Sequence, residues 1–269
     1  MGAIVYENMS NDDYHNHKGS TSRSGIVEFM KSPAHYWNAY HNPKAPEKIT
    51  TDAMAFGSAF HTIVLEPDKF DKEYAIIPEI DRRTKAGKET YQIFQETHHG
   101  KTMITKNQFD TLLAMQQSVY KHSQAWELIS NARYENSIFW NDQDTGLGLK
   151  TRPDCWHANM TVDLKTISSA DPRTFQNAMV AHGYHLQAAF NREGIRAATG
   201  NDIINHVFVC VEKTFPFLVA VYILDETALE SAHSTLRRVL AEMKNCYETD
   251  IWPGHETQTL GLPNWAVNL

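Results

Sequence analysis

The sequence predicts an α/β fold in which a block of helices leads into a strand-rich centre and a long helix closes the chain. Three observations carry this. The first half, to about residue 130, is dominated by apolar residues at helical spacing. From Tyr134 to Leu224, short runs rich in β-branched and aromatic residues alternate with helical patterns, and Asp225 to Thr249 is one long amphipathic helix. The 269 residues, 42% of them hydrophobic, suffice for a substantial core. One domain is expected over residues 1–269: a helical part at about 20–130, a sheet core at about 134–224, and a C-terminal helix and tail over 225–269. No repeat, low-complexity segment or linker interrupts it.

The chain opens with a strand near Ala3 to Tyr6. In GSTSRSGIVEFMKSPAHYWNAY, hydroxyls precede apolar Ile26, Val27, Phe29 and Met30, which marks a helix start, and Pro33 interrupts or kinks that helix. Ser20, Thr21, Ser22 and Ser24, beside Lys18 and Arg23, offer an anion site at a helix N-terminus, although the same residues serve equally as caps and turn formers. The next helix runs from Thr51 to Leu65 and is ended by Pro67. Gly57 and His61 share a face of it, so another element can approach the imidazole closely. PEIDRRTKAGK then places Arg82, Arg83, Lys85 and Lys88 in a turn-rich stretch, the best local phosphate-binding candidate, although most exposed basic loops are merely solvated. Helical patterns follow at Glu89–Thr97 and Lys106–Ser130, the second with Leu112, Leu113, Met115, Val119, Trp126 and Ile129 as core.

Tyr134–Trp140, a turn over Asp142–Gly146, and Leu147–Cys155 form a hairpin, and Met160–Ile167 adds a strand. Asp154 follows Pro153 near the end of the hairpin. In the next strand Asp163 and Lys165 share one face while Met160, Val162 and Leu164 share the other. Two carboxylates and an ammonium beside a hydrophobic sheet can hold a divalent cation and position a water for phosphodiester hydrolysis. An ordinary half-buried strand has the same pattern, so the motif alone does not decide. Asp171-Pro172 starts a helix, and Tyr184–Thr199 is another, ended by Gly200, on which Tyr184, Gln187 and Asn191 share a face. Asn205–Glu212 and Phe217–Leu224 read as buried strands. The tail DIWPGHETQTLGLPNWAVNL carries turn signals and two Trp, and is expected to pack on the body or on a neighbouring subunit.

Composition narrows the classes. The longest apolar run, Phe217–Leu224, is too short to span a bilayer. The N-terminus has neither a basic n-region nor an apolar h-region, and Tyr6 stands where a myristoylation motif requires Ser or Thr. Cys155, Cys210 and Cys246 are scattered, which fits reduced thiols in a cytoplasmic protein and excludes a four-cysteine zinc or iron–sulfur site within one chain. A net charge of -7 argues against a broad DNA-binding surface, but not against a nuclease whose carboxylates hold metal and whose basic residues line a track.

GSAFH, RPD, DLK and YHLQ, in that order, resemble the RecB-like branch of the PD-(D/E)XK nuclease superfamily, with its GxxxH, Pro-Asp, (D/E)xK and downstream Gln motifs. The chain is also similar throughout to the RecE (exonuclease VIII) C-terminal nuclease domain family, from YENMSNDDYH through GSAFHTIVLEP, DRRTKAGKE, DLKT and YHLQAAF to LGLPNWA. The resemblance implies a restriction-endonuclease-like core, a mixed central sheet flanked by helices, with extra N-terminal helices. It implies an ATP-independent, Mg²⁺-dependent 5′→3′ exodeoxyribonuclease on linear duplex ends, leaving a 3′ single-stranded tail for recombination by strand annealing. Mn²⁺ is expected to substitute, and no iron–sulfur cluster or membrane is implied. The implied partners are double-stranded DNA ends, a RecT-type single-strand annealing protein, and further copies of the chain in a ring, a tetramer in preference to a trimer.

Carried over position by position, His61, Asp154, Asp163 and the main-chain carbonyl of Leu164 would hold metal, and Lys165 would orient or help deprotonate the attacking water. Gln187, with Tyr184 nearby, would hold Lys165 or the scissile strand. Ser22, Arg23, Ser24, Arg82, Arg83, Lys85, Lys88 and Tyr184 are the DNA-binding candidates. Two departures stand out: Asn191 occupies a position where the branch usually has Tyr, and the turn between Asp154 and Asp163 is short. The same fold also accommodates a structure-selective or restriction-type endonuclease, or a non-catalytic DNA-binding module.

Overall fold

The computed structural model describes residues 2–46 and 50–262. After β1 (Ile4–Tyr6), Ser10 caps α1 (Asn11–Asn16) by accepting the Asp13 N–H at 3.0 Å. α2 (Arg23–Lys31) and α3 (Pro33–Tyr40) are separate helices: Ser32 ends the first and caps the second, with Pro33 in its first turn, where no donor is needed. α4 (Asp52–Leu65) is capped by Thr51 and buries Ala59, Phe60, Ile63 and Val64. Pro67 does not simply end that helix, because it opens α5 (Pro67–Glu73). β2 (Tyr74–Ile77) pairs in parallel with β3 (Thr102–Thr105) across α6 (Lys85–Thr97). Lys85 and Lys88 are therefore helical, because Thr84 caps α6 earlier than the basic run suggests.

The helix expected over Lys106–Ser130 is two, α7 (Lys106–Lys121) and α8 (Ser123–Ile129). His122 breaks it by accepting the Ala125 N–H at its Nδ1, 3.2 Å away. The break turns the apolar face, so Trp126 is 46% exposed; Leu113, one position past buried Leu112, is 37% exposed. Both are corrections to the expected core, whereas Leu112, Met115, Val119 and Ile129 are buried.

The remaining elements are β4 (Arg133–Tyr134), β5 (Ser137–Asn141), β6 (Gly148–Thr151), β7 (Cys155–Trp156), β8 (Met160–Ile167), α9 (Pro172–Ala181), α10 (Tyr184–Thr199), β9 (Asn205–Glu212), β10 (Val219–Ile223) and α11 (Glu226–Thr249). The main sheet has the order β10-β9-β8-β7-β4, with β8 and β9 parallel and the other pairs antiparallel; a smaller sheet has the order β1-β5-β6. The fold is thus α/β with a mixed central sheet flanked by helices. β10 is a half-buried edge strand rather than the buried strand expected.

The expected hairpin from Tyr134 to Cys155 exists but is shared between the two sheets. Tyr134 pairs with Cys155 in one and Ile138 with Thr151 in the other, so the register passes through the bend unchanged and sets Glu135 directly opposite Asp154. One face of the main sheet buries Val162, Leu164, Val207 and Val209 against α4, α7 and α8. The other packs Ile167, Phe208 and Cys210 against Phe175 and Ala188. A third cluster joins the small sheet to α2, α10 and α11. Of the tail, Trp252 stacks on Tyr36 at 5.8 Å, on the body of the chain; Pro263 to Ala266 of LGLPNWA lie outside the described residues. Among the described residues no helix is long and apolar enough to cross a membrane.

Candidate active site

The bend in the hairpin and the middle of β8 converge beneath α4. Alternation along β8 turns Leu164 into the core and leaves Asp163 and Lys165 on the opposite face. Asp163 is 0% exposed and stands in an ion pair with Lys165. Neither of its carboxylate oxygens has a well-aligned hydrogen-bond donor. Lys165 also donates to Gln187 Oε1 at 3.4 Å, and its Nζ lies 5.0 Å from the centre of the Tyr184 ring. Gln187 and Tyr184 reach it together because they are one turn apart at the start of α10.

Asp154 lies in the break between β6 and β7 rather than at a strand end, and its Oδ2 accepts the Leu164 N–H at 2.7 Å. His61, from the middle of α4, brings Nδ1 to 3.5 Å from that oxygen and to 3.6 Å from Glu135 Oε1. Gly57, one turn earlier on α4, meets β8 through Thr166, but a Cβ there would still lie 4.0 Å from the Thr166 hydroxyl. The close approach expected at this glycine is therefore not a tight one.

Charges in this space push the acids apart. Burial raises Asp154, the Asp163 charge raises it further, and His61 and Lys165 only partly offset them, leaving it at about 7. Burial also opposes the Asp163 charge, but Lys165 and His206 outweigh it and hold Asp163 below the usual carboxylate range. For His61 burial acts downward, yet Asp154 and Glu135 win and raise it to about 9. Lys165 is likewise raised, by Asp163 and Asp154 against its own burial. Hard oxygens around one imidazole, beside the buried Asp163 carboxylate and its Lys165 counter-ion, fit a small divalent cation such as Mg²⁺ or Mn²⁺.

A cleft of about 480 Å³ opens over this cluster, lined by His61, Glu135, Asp154 and Gln187 and walled by the N-terminal segment around Met9 and Tyr14. Lys150 and Arg152 secure that wall: Lys150 donates to Tyr14 O, and Arg152 to Met9 O at 3.1 Å. Ser22, Arg23 and Ser24 line the cleft, with Arg23 donating to His182 O at 3.0 Å. The basic stretch does not reach it. Arg82 packs over Tyr91 at 4.7 Å, Arg83 pairs with Asp81 at 2.9 Å, and neither they nor Lys85 and Lys88 line the cleft. Asn191 is buried and accepts from the Thr151 hydroxyl at 2.5 Å, which ties α10 to β6.

The profile of the family described as a PDDEXK-like domain of unknown function (DUF3799) matches residues 22–259. The chain belongs to this PDDEXK-like family. Among solved structures, a Eubacterium rectale protein provisionally described as an exonuclease is similar over 97% of this chain and 99% of its own, at 14% identity and a TM-score of 0.62. That likeness concerns the fold. A second structure, of SSO0001, is 17% identical over 67% of this chain and 85% of its own, with a TM-score of 0.28. No curated protein matches.

Within the PDDEXK-like fold, Glu135 is the site residue that sequence motifs leave out. It follows no motif spacing. Its only signal is its position opposite Asp154, readable once the hairpin turn is placed and the pairing counted back from it.

Proposed function

We propose that this PDDEXK-like protein is a metal-dependent exodeoxyribonuclease of the RecE kind, hydrolysing one strand of linear duplex DNA 5′→3′ without ATP. The observation that carries the reading is buried Asp163, ion-paired with Lys165 on the strand whose Leu164 N–H is held by Asp154, with Asp154, His61 and Gln187 lining an open cleft. His61, Asp154, Asp163 and the carbonyl of Leu164 would hold the cation, Mg²⁺ with Mn²⁺ substituting. When bound, it supplies Lewis-acid polarisation of the phosphate and a more acidic water.

Lys165, kept protonated by Asp163, orients the attacking water and offsets the charge growing on the phosphate rather than removing a proton. Gln187 and Tyr184 fix its ammonium in that position. Asp154 holds the β8 main chain at Leu164, so Asp163 and Lys165 present their side chains from a fixed strand. Ser22, Arg23 and Ser24 line the path of the DNA strand. We place Arg82, Arg83, Lys85 and Lys88 on a more distant stretch of duplex. The 3′ tail left behind suits a RecT-type annealing protein, and a homo-oligomeric ring in the cytoplasm, tetrameric in preference to trimeric, would keep the enzyme on its substrate.

The test is a linear duplex labelled at either end, beside a closed circle, with and without Mg²⁺. Early release of the 5′ label and an intact circle are expected. Release of the 3′ label first overturns the polarity, cutting of the circle makes the protein an endonuclease, and full activity in Asp163→Ala overturns the site.

A further inference from the structure

We propose that His206 is a positioning residue for Asp163: its Nε2–H, through one bridging water, donates to the carboxylate oxygen that Lys165 does not hold. The inference rests on the metal-dependent reading above and extends it to a strand that carries no motif. β8 and β9 run parallel with Thr161 beside His206 and Asp163 beside Phe208, so the imidazole stands on the face of the sheet that carries Asp163 and Lys165. Two residues along and one strand across is a separation of roughly 8 Å between Cα atoms, which an imidazole, a carboxylate and one water span.

Both side chains are sealed from solvent, His206 at 1% and Asp163 at 0% exposed. Nδ1 of His206 lies 2.6 Å from the Thr161 hydroxyl. With that hydroxyl as the donor, the ring proton sits on Nε2, which has no partner among the described residues. Burial keeps the ring neutral, lowering it to about 4 although Asp163 acts to raise it, so it can give Asp163 an N–H but no charge. Asp163 has the matching need: Lys165 pairs with its Oδ2, and Oδ1 is without a donor. A buried donor and a buried acceptor left unpaired on one face each carry a desolvation cost, which a shared water removes. The water would fix the rotation of the carboxylate, and so the direction in which it meets a cation.

The rival role for His206 is that of a core histidine whose work is done by the Thr161 contact. Two substitutions separate the roles, because Asn reproduces the reach of Nδ1 and Gln that of Nε2. Mn²⁺ binding is followed by calorimetry, with kcat, KM for DNA and the Tm in chelator measured beside it. His206→Asn, which keeps the Thr161 contact, should bind Mn²⁺ roughly 10–100-fold more weakly and lose kcat with KM little changed. His206→Gln should stay closer to wild type in affinity and kcat although its Tm is the lower of the two. The opposite order, with affinity and kcat following Tm, overturns the proposal and leaves the nuclease reading standing. In the metal-free wild type, ¹⁵N-histidine spectra should place the His206 proton on Nε2; a proton on Nδ1 overturns the proposal even if neither variant folds. A wild type that binds no Mn²⁺ overturns the metal-dependent reading and this inference with it.

Discussion

The Asp154 carboxylate accepts the main-chain N–H of Leu164 at 2.7 Å, so a proposed metal ligand also holds the strand that carries the other half of the site. Burial and the Asp163 charge both disfavour its ionised form. Asp154→Asn should therefore abolish cleavage while leaving the metal-free protein at least as stable as wild type, since an amide oxygen can still accept from Leu164. Asp154→Ala leaves that buried N–H unpaired and should cost a further ~1–3 kcal/mol. Denaturant unfolding in the presence of a chelator checks the order; equal stability of the two variants contradicts it.

Lys165 and Asp163 are a buried ion pair. Removing one partner strands the other charge, so Lys165→Met should destabilise the fold by about 3–5 kcal/mol, and Asp163→Asn in the same chain should recover much of that. Cleavage should fall by roughly 10²–10³ in Lys165→Met, as for loss of one transition-state donor. Gln187→Ala, which removes only a contact at 3.4 Å, should cost less activity than Lys165→Met and little stability. A double-mutant cycle showing no coupling between positions 163 and 165 defeats the assignment.

Away from the cleft, one guanidinium serves three acids. Arg237 donates to Asp142 at 2.7 Å, to Asp144 at 3.1 Å and to Glu193 at 2.6 Å. Burial raises Glu193 to about 7; Arg237 opposes this and is itself raised, while Asp142 and Asp144 add to it. The two shifts pull in opposite senses for one ion pair, and because Asp142 is also held ionised by the Thr145 donors, three carboxylates sharing one cation favour leaving Glu193 protonated. Because the folded pKa lies above the ordinary 4.5, the contribution of Glu193 is full below that value and is lost as pH rises through about 7. The stability difference between wild type and Glu193→Gln should fall by up to about 1.4 kcal/mol per pH unit across that window. Burial lowers His233, at 3.2 Å from Glu193, and gives the opposite slope, so it is the difference and not the wild-type curve that must be measured. A flat difference refutes the assignment.

Local signals made parts of this molecule legible from sequence. Pro67 bounded the pattern of α4, Gly200 that of α10, and alternation placed Asp163 and Lys165 on one face of β8. What stayed hidden depends on contacts distant in sequence. β2 and β3 are four-residue strands that pair across a whole helix, and no periodicity in either reveals a parallel partner. The break at His122 follows from a ring nitrogen competing for a main-chain donor, a choice made only in three dimensions. Glu135 became a candidate because a hairpin keeps its register while changing sheets, which pattern reading treats as one uniform strand.

Asn191 shows how far a motif position can drift in meaning. The RecB-like pattern usually has Tyr there, yet Asn191 is 1% exposed and accepts from Thr151, the last residue of β6 before the bend that carries Asp154. Its work here is to fix α10, and so Gln187, against that bend. Asn191→Tyr should not raise activity. A larger ring at a position only 1% exposed overpacks it and leaves the Thr151 hydroxyl unpaired, so a loss of ~1–3 kcal/mol is expected from overpacking alone. Asn191→Ser, which keeps an acceptor but shortens the reach, should lie between wild type and Asn191→Tyr in Tm. Thr151→Val should reproduce part of the loss without touching the cleft chemistry, because Val keeps the shape and removes only the donor. A gain of cleavage in Asn191→Tyr would show that the position still faces the DNA, and would undo the structural role assigned to it.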